Sequence, residues 1–268
     1  MRIGKKEMKL VNDDCLKVLP TLPDQSVDLI ITSPPYNIGM NYNNYKDSRN
    51  DYVIWLSKIF NECCRVLKDK SHLFINIASG KDFPFTSYKI AEKINWQLQN
   101  NIIWCKAVEI DGYVRGYSTP TSSKRYLQNG WEHLFHFTKE GNTEIDLEAS
   151  GVPYNTEYNN AARNEKRTGK NWRPTTTCWH ITYKSKATKQ ITREITGDKK
   201  HPAIFPEKLV EKCIKVSGLK HGILLDPFMG TGTTGIVAKK MNLDFIGIDI
   251  DKDYFEFAEK RINEKSRI

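Results

Sequence analysis

The chain contains the sequence SVDLIITSPPY at positions 26–36. Residues 26–31 form a mostly apolar run rich in β-branched side chains, which is typical of a buried parallel strand. The strand must end at Ser33-Pro34-Pro35-Tyr36, because each proline fixes its own φ angle and restricts the residue before it. In open α/β sheets, ligands bind at the carboxyl ends of the strands. We therefore expect a hydroxyl, a rigid turn and an aromatic ring at a ligand-binding edge.

A second informative segment, GILLDPFMGTGTT, occupies positions 222–234. It predicts a strand that ends in Asp226, a glycine-rich turn, and a helix from Thr233 to about residue 242. The next predicted strand, residues 244–249, ends in Asp249. Glycines allow a ligand to approach the backbone closely, and a carboxylate at the second strand tip suits a ribose diol. The glycines at 230, 232 and 235 fit G-x-G-x-x-G, but no lysine follows in P-loop spacing, so phosphate cradling is not expected.

The remaining pattern alternates strands with helices. We predict strands at 8–11, 71–77, 99–104 and 131–137, and helices at 16–19, 51–67 and 88–96. This alternation indicates an α/β fold with a doubly wound, parallel sheet. Only 19 residues follow Asp249, so the C-terminal strands must complete the sheet that the N-terminal strands begin. Asp14, Ser33, Asp226 and Asp249 should then share one sheet edge.

The two motifs, in this order, resemble those of β-group DNA amino-methyltransferases of restriction-modification systems. Residues 33–36 resemble the catalytic SPPY motif of that family, and residues 226–234 resemble its S-adenosylmethionine loop. The resemblance covers roughly residues 9–140 and 200–262. It implies a mostly parallel, Rossmann-like methyltransferase fold with an inserted target-recognition region, S-adenosylmethionine as cofactor and double-stranded DNA as substrate.

The resemblance also implies a set of site residues. The implied catalytic residues are Ser33, Pro34, Pro35 and Tyr36. The implied cofactor-binding residues are Asp14, Cys15, Ser33, His201, Pro202, Phe205, Asp226, Phe228, Gly230, Thr231, Gly232, Thr233, Thr234, Asp249 and Ile250. Asp14 has a simpler alternative role as the cap of the helix that follows it. Residues 201–209 resemble the segment that closes over the methionine part of the cofactor, although apolar residues replace the usual polar ones between its prolines.

A basic region interrupts the α/β pattern at residues 138–200. Residues 161–200 hold eleven lysines and arginines against three acidic residues, which accounts for most of the net charge of +9. Basic side chains neutralise phosphates and aromatic rings stack on bases, so this region suits DNA, with a flexible basic insertion as the alternative. The expected DNA contacts are Lys166, Arg167, Lys170, Arg173, Lys184, Lys186, Lys189 and Arg193. We divide the chain at 1–137, 138–200 and 201–268, with sequence reading at 106–130 as well.

Composition sets further expectations. No apolar run approaches 18 residues and no signal-peptide pattern is present, so we expect a cytoplasmic protein without membrane contact. The six cysteines show no C-x-x-C spacing, which argues against zinc or disulfides. His133 and His136 fall on opposite faces of a predicted strand and are interpreted as structural. The sequence leaves open whether the protein is a monomer or a homodimer, and whether a cognate restriction endonuclease acts on the same site.

The target base is the main alternative left open. In the resembling family, serine at the first motif position is commoner among enzymes that methylate N4 of cytosine, so we favour cytosine and keep N6 of adenine as the alternative. Methylation at C5 of cytosine uses a Pro-Cys dipeptide, which this chain lacks. A nicotinamide-dependent oxidoreductase would leave residues 33–36 unexplained. A DNA-binding module without catalysis would leave both carboxylate-tipped strands without a role.

Overall fold

The structure is a computed structural model. It describes residues 7–37, 39, 41–42, 45–46, 48–78, 84–110, 113–116, 124–125, 127, 129–153, 165–167, 169–182 and 206–264. Its strands are β1 (Met8–Asn12), β2 (Val27–Thr32), β3 (Asn41–Tyr42), β4 (Tyr45–Lys46), β5 (Leu67–Ile77), β6 (Gln97–Ile110), β7 (Tyr113–Gly116), β8 (Trp131–Thr138), β9 (Val152–Pro153), β10 (Trp172–Arg173), β11 (Cys178–Thr182), β12 (Ile223–Asp226) and β13 (Asp244–Asp249). Its helices are α1 (Cys15–Val18), α2 (Tyr52–Val66), α3 (Thr86–Ala91), α4 (Glu207–Ser217), α5 (Thr233–Lys240) and α6 (Lys252–Asn263).

A nine-stranded sheet runs through the described part of the chain. The strand order is β1-β13-β12-β2-β5-β8-β6-β11, and β7 pairs with the end of β6. The first five strands in this order, from β1 through β13, β12 and β2 to β5, are all parallel to their neighbours in that group. β6 and β11 are also parallel to each other. The prediction of a mostly parallel, doubly wound α/β sheet is therefore confirmed.

The strand β8 departs from the parallel pattern. It runs antiparallel to both of its neighbours, β5 and β6. In the described residues no helix lies between β6 and β8, and a parallel return would need a long crossover connection, usually a helix. The parallel prediction was wrong for this strand because the chain turns back beside β6 instead of crossing the sheet.

The C-terminal strands complete the N-terminal half of the sheet, as predicted. Leu224 and Leu225 of β12 pair with Leu29 and Ile30 of β2. Every residue of β13 from 245 to 249 pairs with a residue of β1. The strands β1, β2, β12 and β13 consequently end at one edge of the sheet, which we call the carboxyl edge.

Helices pack on both faces of the sheet. The apolar stripe of α2, which includes Leu56, Ile59 and Phe60, packs in one core cluster. The stripe of α4, which includes Leu209 and Val210, packs in a second cluster with α5 and α6. Because both faces are covered, β2 is buried along almost its whole length. Among the described helices, none is long and apolar enough to cross a membrane.

Two local predictions need correction. The helix predicted at 88–96 is α3, which ends at Ala91, although Ile94 and Trp96 still reach the core from the turn that follows. The segment 37–45, whose Asn-, Gly- and Tyr-rich sequence without periodicity predicts a loop, contains the first part of the short ribbon β3–β4. The expectation for the two histidines of β8 is confirmed: His133 bonds Asn101 on one face, and His136 bonds His72 on the other.

Candidate active site

The SPPY turn, residues 33–36, leaves β2 at the carboxyl edge and is held from two sides. The hydroxyl of Tyr52, at the start of α2, donates to the Pro35 carbonyl at 2.6 Å. Asn37 follows the turn with a left-handed φ of 57° and exchanges two hydrogen bonds with the Arg49 backbone, at 3.0 and 2.5 Å. The proline corner and these clasps fix the direction in which the turn presents its side chains.

The hydroxyl of Tyr36 is the centre of a polar cluster beneath the turn. It donates to Glu132 Oε2 at 2.9 Å and lies 3.3 Å from Asn76 Oδ1. Ser33 Oγ lies 3.1 Å from the same hydroxyl. Because a phenol carries one proton and the nearer carboxylate takes it, Ser33 is left to donate to the Tyr36 oxygen. The lone pairs of Ser33 then remain available as acceptors.

Glu132 is a buried charge with a partly buried partner. Its side chain is 3% exposed, and Lys106 Nζ lies 2.6 Å from Oε1. A carboxylate in the protein interior is tolerated only when it is paired and hydrogen-bonded, which the lysine and the tyrosine accomplish together. Asn76, Lys106 and Glu132 were not predicted as site residues from the sequence. A single carboxylate in the otherwise apolar or aromatic strand 131–137 was the available signal.

Asp226 joins the SPPY turn to the glycine turn, residues 227–232. Its carboxylate is fully buried and accepts hydrogen bonds from Thr32 Oγ1 at 2.7 Å, Thr234 Oγ1 at 2.7 Å and the Phe228 amide at 3.0 Å. Burial raises the pKa of Asp226 to about 6, against the opposing effect of these three donors. The carboxylate therefore holds the tip of β2 and the start of the glycine turn together.

The glycine turn is shaped by two glycines with left-handed φ angles, 52° at Gly230 and 79° at Gly232. The Gly230 amide donates to Asp249 Oδ2 at 2.7 Å, and the Asp251 amide donates to Oδ1 at 2.9 Å. Burial raises the pKa of Asp249 to about 7. Among the described residues, a Cβ placed on Gly230 would meet a single atom within 4 Å, the Phe228 carbonyl oxygen at 3.8 Å, so these residues leave space for a ligand on that side of the turn.

The other predicted cofactor residues surround this turn. Asp14 Oδ1 accepts from the Leu16 amide at 2.9 Å, so the capping role of Asp14 is present in the structure. Cys15 is buried, and burial together with Asp14 raises the pKa of its thiol to about 12. Ile250 is 63% exposed next to Asp249, and Phe228 meets Trp55 edge-on at 5.8 Å. An acceptor carboxylate, an open glycine turn and exposed apolar surface fit an adenosine group.

Several predicted residues lie outside the described residues. These are the cofactor residues His201, Pro202 and Phe205 and the DNA residues Lys184, Lys186, Lys189 and Arg193. The predicted DNA residues that are described, Lys166, Arg167, Lys170 and Arg173, are all exposed. Their role stays a prediction.

Among the predicted DNA residues that the structure describes, Arg173 can be placed through the ribbon that carries it. Arg173 belongs to the ribbon β9–β10, and the ring of the neighbouring Trp172 lies against Gly151. That segment is tied to the C-terminal end of α4, where the Asp146 amide donates to the Val216 carbonyl at 2.9 Å. Since α4 leads into the start of β12, this end lies at the edge of the sheet opposite the carboxyl edge.

Comparison with solved structures defines the class of the fold. The PvuII DNA methyltransferase (cytosine-N4-specific) superposes with a TM-score of 0.70 at 18% identity, over 99% of this chain and 91% of that chain. M1.HpyAVI, solved as a complex with SAM (S-adenosylmethionine), gives a TM-score of 0.61 at 22% identity, over 96% of this chain and 100% of that chain. The fold is that of the Rossmann-like, S-adenosylmethionine-dependent methyltransferases.

Comparison of sequences then identifies the family. The family described as DNA methylase, which covers N6 and N4 methyltransferases, matches residues 27–260, and the chain belongs to this family. The type II methyltransferase M.HpaI of Haemophilus parainfluenzae is 33% identical over 261 residues, 96% of this chain and 74% of the relative. The protein is therefore a DNA methyltransferase, with S-adenosylmethionine as its cofactor and DNA as its substrate. Membership of this family rules out the two alternative hypotheses, an oxidoreductase and a DNA-binding module without catalysis.

Proposed function

We propose that the protein transfers a methyl group from S-adenosylmethionine to the exocyclic N4 of cytosine within a short DNA sequence, as the methylating partner of a restriction-modification system. Ser33 at the first position of the SPPY turn supports cytosine. The fold shared with the cytosine-N4-specific PvuII enzyme is consistent with it. A type II methyltransferase at 33% identity supports the restriction-modification context.

N6 of adenine is the second candidate for the target atom. The observation in its favour is a relative named as the DNA adenine methyltransferase YhdJ of Escherichia coli, which is 27% identical over 98% of this chain and 85% of the relative. Both candidates are exocyclic amines and use the same in-line transfer. They differ in the shape and the edge of the base that the site must accept.

The hydrogen bond between Thr32 and Asp226 carries the proposal. It joins the residue before the SPPY turn to the strand tip from which the glycine turn begins, at 2.7 Å. A base held at the first turn and a cofactor held at the second would therefore lie side by side. Holding two reactants aligned in one site raises their effective concentration by many powers of ten. This alignment is the main contribution that a methyl transfer requires from the protein.

The SPPY turn would activate the amine by accepting its hydrogens. The lone pair of an exocyclic amine is delocalised into the ring, and acceptors on both N–H groups redirect it toward an electrophile. We assign these acceptors to Ser33 Oγ and the Pro34 carbonyl. The hydrogen bond from Tyr36 to Glu132 leaves the Tyr36 oxygen as acceptor for the Ser33 proton, which orients the serine lone pairs toward the base. The ring of Tyr36 would stack on the base.

We assign the cofactor to the glycine turn and its surroundings. Asp249 would accept the ribose hydroxyls, Ile250 and Phe228 would contact the adenine, and the open side of Gly230 would admit the ligand. When bound, S-adenosylmethionine supplies an electrophilic methyl group on a sulfonium. The target amine lies inside the duplex, so the base must swing out of the helix, at a cost of a few kcal/mol.

Nucleoside mass spectrometry tests the target base directly. The protein is incubated with plasmid DNA and S-adenosylmethionine carrying a labelled methyl group, and the DNA is then digested to nucleosides. We expect labelled N4-methylcytosine, formed at least about 100-fold more slowly by the Ser33→Ala variant. Labelled N6-methyladenine alone would replace the cytosine proposal with the adenine one. Label at neither amine, with cofactor binding intact, would contradict the assignment of the SPPY turn.

A further inference from the structure

We propose that Cys105, Cys178 and His180 form a zinc site on the outer strands of the sheet. Cys105 Sγ lies 3.3 Å from Cys178 Sγ, and the ligand atoms of all three residues lie within 4.8 Å of one another. Among the described residues, no other group of three histidine, cysteine or acidic side chains brings its ligand atoms this close together. The site is separate from the SPPY turn and from the glycine turn, and it does not depend on the target base.

Strand pairing creates the cluster. In the parallel pair β6–β11, His180 lies opposite Cys105 and Cys178 lies opposite Ile103. Residues 178 and 180 point to the same side of β11, while Trp179 and Ile181 between and after them point into the core. Two thiols and an imidazole therefore converge on one outer face. Zinc was not expected from the sequence because the cysteines lack C-x-x-C spacing, but the pairing of β6 with β11 brings together Cys105 and Cys178, which are 73 residues apart.

The geometry suits a bound ion better than a disulfide. Cys105 and Cys178 are diagonal neighbours in a parallel pair, offset by two residues along strands that lie about 4.8 Å apart, so their Cα atoms are about 8 Å apart. A disulfide usually needs about 4.4–6.8 Å between Cα atoms. Tetrahedral zinc with Zn–S bonds near 2.3 Å places its two sulfurs roughly 3.7 Å apart, close to the spacing found here.

The ligand chemistry selects the metal class. Two thiolates and one imidazole form a borderline-soft set, which favours Zn²⁺ over Mg²⁺ or Ca²⁺. Cys178 and His180 are exposed and Cys105 is partly exposed, so an ion can reach the site and water can fill a fourth position. Both thiols must lose their protons when zinc binds, so the reaction releases protons and strengthens as the pH rises.

The consequence would be a clamp on an edge strand. β11 is at the end of the strand order, it is five residues long, and the basic segment 183–200 follows it directly. Zinc would join β11 to β6 and close a long loop between Cys105 and Cys178, which is where a metal clip gains most. Zinc would thus fix the root of the segment that is expected to meet DNA.

Metal titration of the full-length, reduced protein tests the site. We expect one equivalent of Zn²⁺ to bind by calorimetry, and one equivalent of Co²⁺ to give the near-ultraviolet absorption of cobalt–thiolate bonds. Loss of a residue that only hydrogen-bonds a metal ligand typically weakens metal binding by about 10–100-fold. Loss of a ligand itself, in Cys178→Ser or His180→Ala, should therefore weaken zinc binding by at least about 100-fold. The matched controls are His221→Ala, an exposed histidine, and Cys64→Ala, a buried thiol away from the cluster.

Hydrogen exchange adds a readout that a nonspecific surface ion would not change. The Ile103 amide donates to the Thr177 carbonyl at 2.7 Å, between the two strands. Zinc should slow exchange of this amide in the wild-type protein and leave it unchanged in Cys178→Ser. Equal zinc affinity in wild type and Cys178→Ser would overturn the proposal, as would equal loss in the control variants. The proposal would also be overturned if Cys105 and Cys178 formed a disulfide and the reduced protein bound no zinc.

Discussion

The hydroxyl of Thr32 lies 2.7 Å from a carboxylate oxygen of Asp226, although 194 residues separate the two in sequence. Asp226 is fully buried, so each of its donors offsets part of the cost of burying the carboxylate. We expect Thr32→Val, which keeps the side-chain shape and removes the donor, to lower the free energy of unfolding by about 1–3 kcal/mol. Denaturant unfolding at neutral pH measures this change.

Thr138→Val is the matched control for the loss of a buried threonine hydroxyl. Thr138 is also fully buried, but its hydroxyl donates to the neutral, partly exposed side chain of Gln99 at 2.7 Å. We expect the control to cost less than Thr32→Val and to leave methyl transfer unchanged, whereas Thr32→Val should also slow transfer because the two turns lose their link. Equal stability losses and unchanged transfer in both variants would contradict this reading of Asp226.

The SPPY turn should separate methyl transfer from cofactor binding. We expect Ser33→Ala to reduce turnover by at least about 100-fold, because the reacting amine loses a hydrogen-bond acceptor. The size of this effect is comparable to the loss of one hydrogen bond that stabilises a transition state. Tyr36→Phe keeps the ring and removes the hydroxyl that accepts the Ser33 proton, so its loss should be smaller. Calorimetry should find S-adenosylmethionine affinity unchanged in both. A matching fall in affinity would refute the assigned roles.

The main features of the site were predictable because they depend on strand order. A parallel strand ends at a known edge, so Ser33, Asp226 and Asp249 could be placed together before any contact was known. The family resemblance supplied the roles, and the fold confirmed the shared edge. What sequence periodicity could not supply was the direction of β8, because antiparallel and parallel strands share the same apolar pattern.

The supporting residues were missed for the same reason. Glu132 lies on β8 and Lys106 on β6, so their ion pair depends on the antiparallel register of two strands. Cys105 and Cys178 meet through the parallel register of β6 with β11. Register between distant strands is set by the packed core, and no local motif records it.

The ion pair beneath Tyr36 should be costly to break from one side. Lys106→Met leaves the buried Glu132 carboxylate without its cation, and loss of one partner of a buried pair costs about 3–5 kcal/mol. The double variant Lys106→Met with Glu132→Gln removes the charge as well, so it should be more stable than Lys106→Met alone. Denaturant unfolding of the wild type, both single variants and the double variant completes the thermodynamic cycle.

Methyl transfer should follow a different order across the same variants. Glu132→Gln weakens the acceptor of the Tyr36 hydroxyl, so transfer should fall in Glu132→Gln and stay low in the double variant even where stability recovers. The exposed pair Lys240–Glu207, 2.6 Å apart on the surface, gives a control in which Lys240→Met changes stability by less than about 1 kcal/mol. Recovery of both stability and transfer in the double variant would mean that the pair has a structural role alone.

Cofactor affinity should depend on pH through Asp249. Burial raises the pKa of this carboxyl to about 7, and the ribose hydroxyls require its ionised form as acceptor. The protonated fraction grows as the pH falls below 7, so affinity for S-adenosylmethionine should fall by about tenfold per pH unit below that value and level off above it. Asp249→Asn should bind more weakly and with a smaller pH dependence. Calorimetry from pH 5.5 to 8.5 measures both; an unchanged slope in Asp249→Asn would assign the dependence to another group.

Acid should destabilise the fold through the buried pair His72 and His136. Their rings stack, His72 Nδ1 lies 2.9 Å from His136 Nε2, and burial lowers their pKa values to about 4 and about 3. Because both values are depressed below the unfolded value of about 6.5, the full contribution is present above that pH and is lost as the pH falls, at about 2 kcal/mol per histidine by pH 5. The difference in unfolding free energy between wild type and His72→Gln/His136→Gln should therefore shrink from pH 7.5 to pH 5. The exposed control His221→Ala should keep the wild-type slope, and parallel slopes in all three proteins would exclude the buried pair as the cause.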